Sequence, residues 1–396
     1  MSQKTQTLIL LVLAQVAALS LWFATSAILA DLSAQGLINP NSSALLSSAV
    51  QAGFVVGALF IAALGIADRF DPRRVFGFSA AVAAVANASL LVVPVDSIWG
   101  IGARLATGAA LAGVYPVGMK MAAAWGTLDR GFLVSLLVGA LTLGSASPYL
   151  ISFFGGSAWQ TVVLITSAAA FLAAGLVLMT ALGPHLVKAA RFSPKVVLTA
   201  WTNRRVRYAY LGYLGHMVEL YAMWAWLGAA LTVSLTLTLG ANQAAAAAKL
   251  ITFLAIAAGA ISCVIGGRVA DKIGKARFTI YAMLVSGLSA IAFGIALASS
   301  APVILLGLLA IIWGASIIPD SPQFSALVAD HAPADQVGSL LTLQTALGFT
   351  LTIITVQSAP MLAAMIGWPL VMGGLAVGPF FGVIAMRAFL RVQEGV

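Results

Sequence analysis

Polar and apolar positions along this chain neither alternate with the period of a strand nor form one-sided helical stripes. Long apolar runs are separated by short polar connections. Twelve runs stand out, at about 8–29, 44–66, 75–95, 98–122, 131–154, 159–182, 207–234, 244–266, 278–298, 302–324, 337–362 and 368–386. Each approaches or exceeds the roughly 20 residues a helix needs to cross the hydrocarbon core of a bilayer. In hydrocarbon a backbone must satisfy its own N–H and C=O groups, so runs of this length and composition predict transmembrane α-helices. The first run is longer than the apolar region of about 7–15 residues in a secretory signal, so it counts as a span. The longest polar connection, 183–206, divides the spans six and six. The predicted organisation is an N-terminal six-helix bundle (1–182), a linker (183–206) and a C-terminal six-helix bundle (207–396).

Composition agrees. Of 396 residues, 61% are hydrophobic and 8% charged, and mean hydropathy is +1.05. A soluble domain carries about 25% charged residues, so water is not the solvent for most of this surface. The net charge of +9 changes meaning once it is placed. With Lys4 cytoplasmic, the loops holding Arg69, Arg73, Arg74, Arg130, Lys188, Arg191, Lys195, Arg204, Arg205, Arg268, Lys272, Lys275 and Arg277 all fall on the same side, as do Arg387 and Arg391 in the tail. The outer loops hold Asp31 and Asp96 and no Lys or Arg. This positive-inside pattern predicts a multi-pass protein of the bacterial inner membrane with both termini cytoplasmic. It also accounts for the basic balance, so no nucleic acid is expected as a partner. The single cysteine, Cys263, excludes an internal disulfide and a Cys-cluster metal site.

The two halves repeat. After span 2 the chain reads Gly65-Ile66-Ala67-Asp68-Arg69-Phe70-Asp71-Pro72-Arg73-Arg74; after span 8 it reads Gly267-Arg268-Val269-Ala270-Asp271-Lys272-Ile273-Gly274-Lys275. Asp68 and Asp271 are 203 residues apart, the offset that also relates Pro116 in span 4 to Pro319 in span 10. A duplicated six-helix unit is typical of secondary transporters. On these residues the chain resembles the major facilitator superfamily. The second hairpin matches that family's Gly-x-x-x-Asp-Arg/Lys-x-Gly-Arg/Lys loop from Gly267 to Lys275. The first departs from it, with Leu64 and Asp71 at the glycine positions. Arg104-Leu105-Ala106-Thr107-Gly108 is similar to the family's fourth-helix Arg-x-x-x-Gly signature. The fifth-helix Gly-Pro signature of many drug antiporters is not met, because Pro148 lies four residues beyond Gly144. Leu21-Trp22-Phe23-Ala24 and the segment Gly215–Tyr221 faintly resemble the cyanate- and nitrate-transporter-like branch. The resemblance implies an all-α membrane protein, twelve helices in two pseudo-symmetric six-helix bundles that rock about a central cavity. In that scheme Asp68, Arg69, Asp271 and Lys272 are expected to bias the rocking from helix ends.

Ionisable groups inside a span are functional hypotheses by default, since each costs about 2.5–3.5 kcal/mol on insertion scales. At about 1.5 Å per residue, Glu219 lies roughly 18 Å into span 7, near the midplane. His216 shares its helix face at i, i+3, and the two are expected to load and unload protons. A divalent-metal site on this His-x-x-Glu pair is an alternative that lacks further ligands. Arg104 and Lys249 lie roughly 8 Å inside the outer boundary, where they either snorkel to headgroups or face the cavity and attract an anion. Pro319 and Asp320, in Ile318-Pro319-Asp320-Ser321-Pro322, predict an interrupted helix that serves as a cytoplasmic gate. Polar and aromatic candidates for the substrate are Gln15, Tyr115, Tyr221, Gln344 and Trp22, with Gln51, Gln357, Trp224 and Trp226 behind them. Gly53/Gly57 and Gly374/Gly378/Gly382 are spaced for close helix packing.

Nucleotide-binding, serine-hydrolase and zincin motifs are missing from the sequence, so neither an enzyme nor ATP drive is expected. A channel's ring of charges is also missing. The expected function is secondary active transport of a small organic or inorganic anion, coupled to protons by alternating access, as a monomer without cofactors. Proton-driven efflux of amphipathic drugs is the rival.

Overall fold

A computed structural model describes residues 2–126, 129–156, 158–186, 196–333 and 336–394, which form helices and connecting turns with no strand among them. Span 1 consists of α1 (Gln3–Leu19) and α2 (Ala24–Ala34), span 2 of α3 (Pro40–Leu64), and the following hairpin holds α4 (Ile66–Arg69). Span 3 is α5 (Pro72–Ala88), span 4 is α6 (Ile98–Leu111) with α7 (Tyr115–Ala123), span 5 is α8 (Arg130–Gly155) and span 6 is α9 (Trp159–Leu178). After the short α10 (Val196–Thr202) come span 7, α11 (Arg204–Leu239), span 8, α12 (Ala241–Ile273), and span 9, α13 (Lys275–Ala298). Span 10 joins α14 (Val303–Ile317) to α15 (Ser321–His331), span 11 is α16 (Val337–Ile366), and span 12 joins α17 (Trp368–Gly374) to α18 (Val377–Glu394). Among the described residues eleven segments are individually long and apolar enough to cross a membrane; span 4, divided in its middle, completes the twelve. Of the expected linker, residues 187–195 lie outside the described residues. α11 begins at Arg204, three residues before the expected edge.

An even number of spans puts both chain ends on one side, here called the terminal face; the opposite side is the far face. Spans 4 and 10 break at corresponding places, Ala112–Val114 and Ile318–Asp320. The cause is the pair related by the 203-residue offset: Pro116 and Pro319 lack an N–H, and each ring clashes with the carbonyl four residues earlier. Pro322 adds a second interruption, and Cys263 of α12 directs its thiol at the freed carbonyl of Ile318 (3.8 Å). Span 1 breaks as well, at Ser20–Phe23, without proline or glycine. Span 7, its counterpart, is continuous over 36 residues.

Within the N-terminal bundle α3 and α6 interlock, because Gly53, Gly57 and Gly108 each sit where an added Cβ would strike the partner backbone. In the C-terminal bundle Gly215 and Gly378 do the same between α11 and α18, and Gly382 packs under Met283. Gly374, expected in the same stripe, faces open space. The bundles meet along α8 against α12 and α3 against α16, with α2 resting on α11.

The first hairpin explains its own departure from the loop signature. Asp71, standing where glycine was expected, caps α5 by accepting from the Arg73 N–H (2.9 Å) and pairs with the Arg73 guanidinium (2.7 Å). That guanidinium also reaches the Thr180 carbonyl beyond α9 (3.1 Å). The hydrogen bond from Arg73 holds the Asp71 carboxyl below the usual carboxylate range.

Candidate substrate and coupling site

The break in span 1 aims Trp22 and Phe23 at the boundary between the bundles. Trp22 packs on Phe54 of α3 (ring centroids 4.9 Å apart) and, across the boundary, on Tyr221 of α11 (5.8 Å) and Phe349 of α16 (5.4 Å). Phe54 meets Phe349 at 4.6 Å, Tyr221 meets Phe349 at 5.0 Å, and Phe23 meets Tyr221 and Trp224, each at 5.8 Å. Six rings, three from each bundle, therefore fill the mid-depth of the interface. The sequence reading placed Trp22, Tyr221 and Trp224 here but passed over Phe23, Phe54 and Phe349, which nothing in their spacing marks as special.

Arg104 holds that break in place. It is fully buried and donates to Asn87 Oδ1 (2.6 Å) and to the carbonyls of Leu21 (2.9 Å) and Trp22 (3.0 Å). Asn87 is anchored in turn to Ser167 Oγ (2.9 Å) and Thr166 Oγ1 (3.3 Å) of α9. Carbonyls freed by a helix break need replacement donors in hydrocarbon, and a forked guanidinium supplies them. Arg104 thus occupies neither the headgroup region nor an open cavity, the two places expected for it. It reaches the ring cluster through the backbone of Leu21 and Trp22.

In the C-terminal bundle, His216 and Glu219 share a face of α11 as expected, but they engage different partners. Glu219 accepts from Ser286 Oγ of α13 (2.5 Å) and Trp313 Nε1 of α14 (2.7 Å). It is 1% exposed and turned into its own bundle rather than toward the interface. His216 Nδ1 lies 3.0 Å from Asp320 Oδ1, both side chains buried. Asp320, expected to be a gate near the cytoplasmic end of span 10, is a buried partner of His216, placed there by the α14–α15 break beside Pro319. No cluster of three potential ligands (His, Cys, Asp or Glu) exists among the described residues, and His216 and Glu219 turn to separate partners.

Lys249 likewise has a role the sequence did not assign. Asp31, expected in an outer loop, lies inside α2 and is buried. Its carboxylate meets the Lys249 ammonium at 2.8 and 3.1 Å. The same ammonium reaches the carbonyls of Gly156 (2.9 Å) and Ser152 (3.5 Å). This pair joins span 1 to span 8, hence bundle to bundle, near the far face. A second bond between bundles runs from Tyr149 Oη of α8 to the Trp224 carbonyl (2.6 Å).

The remaining candidates divide. Gln15 and Gln344 are buried with both amide atoms unpaired among the described residues, as is the Trp22 indole N–H; Gln15 lies against Gly118 of α7. Tyr115 is half-buried where span 4 resumes. Of the hairpin residues, the Asp68 side chain lies outside the described residues, and Arg69, Asp271 and Lys272 are exposed with no ion pair among them. The second-hairpin contact that does cross the boundary is Arg268, whose guanidinium sits 5.1 Å over the Phe132 ring of α8.

Two six-helix halves meet at a ring-filled boundary, with spans 1, 4 and 10 broken. The chain belongs to the Major Facilitator Superfamily, whose profile matches residues 8–356. It is a secondary transporter, not an enzyme. Among solved structures it is similar to a D-xylose–proton symporter (TM-score 0.74, 16% identity, 98% of this chain and 97% of that one). It is also similar to the xylose transporter XylE from E. coli in a partially occluded inward-open conformation (0.72, 15%, 100% and 98%). The nucleoside transporter NupG, solved as a point mutant, follows (0.69, 14%, 98% and 99%). No curated protein matches the chain at the sequence level.

Proposed function

We propose that this chain carries a small, uncharged, hydrogen-bonding solute across the bacterial inner membrane by alternating access, with its termini and basic loops cytoplasmic and with protons as the driving ion. The observation that carries the reading is the one-sided placement of the polar bonds between the bundles. The hydrogen bonds and ion pair that join described side chains of the two bundles, at Asp31–Lys249 and Tyr149–Trp224, all lie toward the far face. There α2 rests on α11, whereas the described terminal-face crossings are packing contacts, α15 against α8 and Arg268 over Phe132.

Solute charge follows from what is left free. The expected anion would need an available cation, yet Lys249 is paired with Asp31 and Arg104 spends both terminal nitrogens on the protein, with its Nε alone unpaired among the described residues. The unpaired buried groups include the neutral amides of Gln15 and Gln344 and the Trp22 indole, beside aromatic faces; Arg104 Nε and His216 Nε2 are unpaired as well, each on a side chain that the protein engages through its other nitrogens. Buried polar groups without partners call for a ligand or water. Rings with hydroxyl or amide edges fit them, and the xylose and nucleoside carriers of similar fold support that class. Proton coupling is assigned to His216 with Asp320 and to Glu219, groups whose partners change as α15 shifts against α11 and α13.

Uptake into proteoliposomes under an imposed pH gradient tests this. Neutral pentoses, hexoses or nucleosides are expected to accumulate, and Gln344→Ala to weaken their apparent affinity about tenfold, as about 1.4 kcal/mol of lost hydrogen bonding requires. Accumulation of carboxylates or inorganic anions alone would return the substrate to the anion class.

A further inference from the structure

We propose that Asp31, Ser152 and Gly156 form a binding site for a monovalent alkali cation, occupied in this conformation by the tethered ammonium of Lys249. An ammonium has three protons to donate, yet four oxygens surround this one: Asp31 Oδ2 at 2.8 Å, Gly156 O at 2.9 Å, Asp31 Oδ1 at 3.1 Å and Ser152 O at 3.5 Å. The three protons are shared among four oxygens, two of them from one carboxylate, and this oxygen-lined shell is one that a bare monovalent cation can also fill. Ser152 Oγ adds a contact of 3.4 Å to the Asp31 carboxylate and steadies it.

Three further features fit a cation. The carbonyls of Ser152 and Gly156 belong to the last turn of α8 and its cap, the negative end of a 26-residue helix. Gly156 adopts φ 63° and ψ −129°, a conformation that a side chain would strain and that turns its carbonyl toward Lys249. Among the described residues one carboxylate contributes, so a single positive charge balances the pocket. Calcium, with six to eight oxygen ligands and usually several carboxylates, is a poor match.

Every oxygen comes from the N-terminal bundle, and the cation comes from the C-terminal bundle. When the bundles part at the far face, Lys249 leaves with α12 and the oxygens stay together as an anionic pocket open to water. A sodium or potassium ion then takes the place of the ammonium, and closure requires its displacement. The proposal rests on the far-face gate only for the way in which the pocket empties; it is independent of the solute carried.

Thermal unfolding of the purified full chain in NaCl, KCl and choline chloride at equal ionic strength tests it. Lys249→Met removes the tethered charge and keeps the stem. Its unfolding midpoint is expected to rise by several degrees in NaCl or KCl over choline chloride, and Asp31→Asn in the same background to abolish the rise. Equal midpoints for Lys249→Met in the three salts would overturn the site. Should that variant fail to fold, acetylation of Lys249 in the unmodified protein, read by mass spectrometry, is decisive. Alkali cations that compete for the pocket should raise its labelling rate at least threefold over choline, and equal rates contradict the proposal. A gate that fails while Lys249→Met still gains stability from sodium or potassium leaves the pocket standing, so the two ideas fall separately.

Discussion

Arg104 illustrates how a charge deep in a membrane protein can serve the backbone. Its three hydrogen bonds end on Asn87 and on the carbonyls that the span 1 break sets free. Arg104→Ala leaves these acceptors buried without donors, each a loss of about 1–3 kcal/mol, so the unfolding midpoint in detergent should fall by many degrees. Arg104→Lys should recover little of it, because a single ammonium cannot span the fork of contacts; full recovery would show that charge alone matters. For Glu219, Gln keeps the shape but presents an amide N–H₂ to Ser286 Oγ or Trp313 Nε1. Glu219→Gln should abolish accumulation driven by a pH gradient while solute exchange at equal pH persists. Wild-type accumulation in that variant would remove Glu219 from the coupling path. The sequence made both charges visible as anomalies in apolar runs. It did not disclose their partners, since Asn87, Ser286 and Trp313 sit on helices far away in the chain and carry no unusual pattern of their own.

Helix breaks shape the boundary between the bundles, and their legibility varied with their cause. Spans 4 and 10 were readable because proline states its effect locally, and the 203-residue offset tied Pro116 to Pro319. Span 1 was not, for Ser20-Leu21-Trp22-Phe23 contains no helix breaker and the break depends on Arg104 from another helix. Extending α2 to Ala34 is what brings Asp31 into span 1; the apolar run alone ends at about residue 29 and puts that aspartate in a loop. At the terminal face, Asp71 was read as a defect in a signature and is a helix cap. Its Arg73-bound carboxyl titrates below the ordinary carboxylate value. The stabilisation it gives is therefore complete above that ordinary value and is lost as pH falls through the lowered one. Asp71→Ala should cost about 1 kcal/mol at neutral pH, and the difference from the unmodified protein should vanish in acid. A difference that stays the same in strong acid would contradict the charge-dependent part of that account.

At the level of the whole molecule, two bundles, their number of helices and their repeat were evident from hydropathy and two hairpins, because the bilayer permits few alternatives. The relation between the bundles was not evident, since it depends on side chains that meet only across the boundary. Removing one member of a buried ion pair costs about 3–5 kcal/mol, so Asp31→Asn or Lys249→Met should populate a far-face-open state. Exchanging the charges should not restore closure, because a carboxylate at position 249 would face the carbonyls of Ser152 and Gly156. The double neutral variant should do better than the exchange. The most direct test places spin labels at Leu37→Cys and Ser299→Cys, exposed far-face positions on opposite bundles, in a Cys263→Ser background, and measures their distance distribution by double electron–electron resonance. One short distance should dominate in the unmodified protein and a second, longer by several ångströms, should grow on Asp31→Asn. A single distance, identical with and without the Asp31–Lys249 pair, would contradict the claim that this contact closes the far face of an alternating-access carrier.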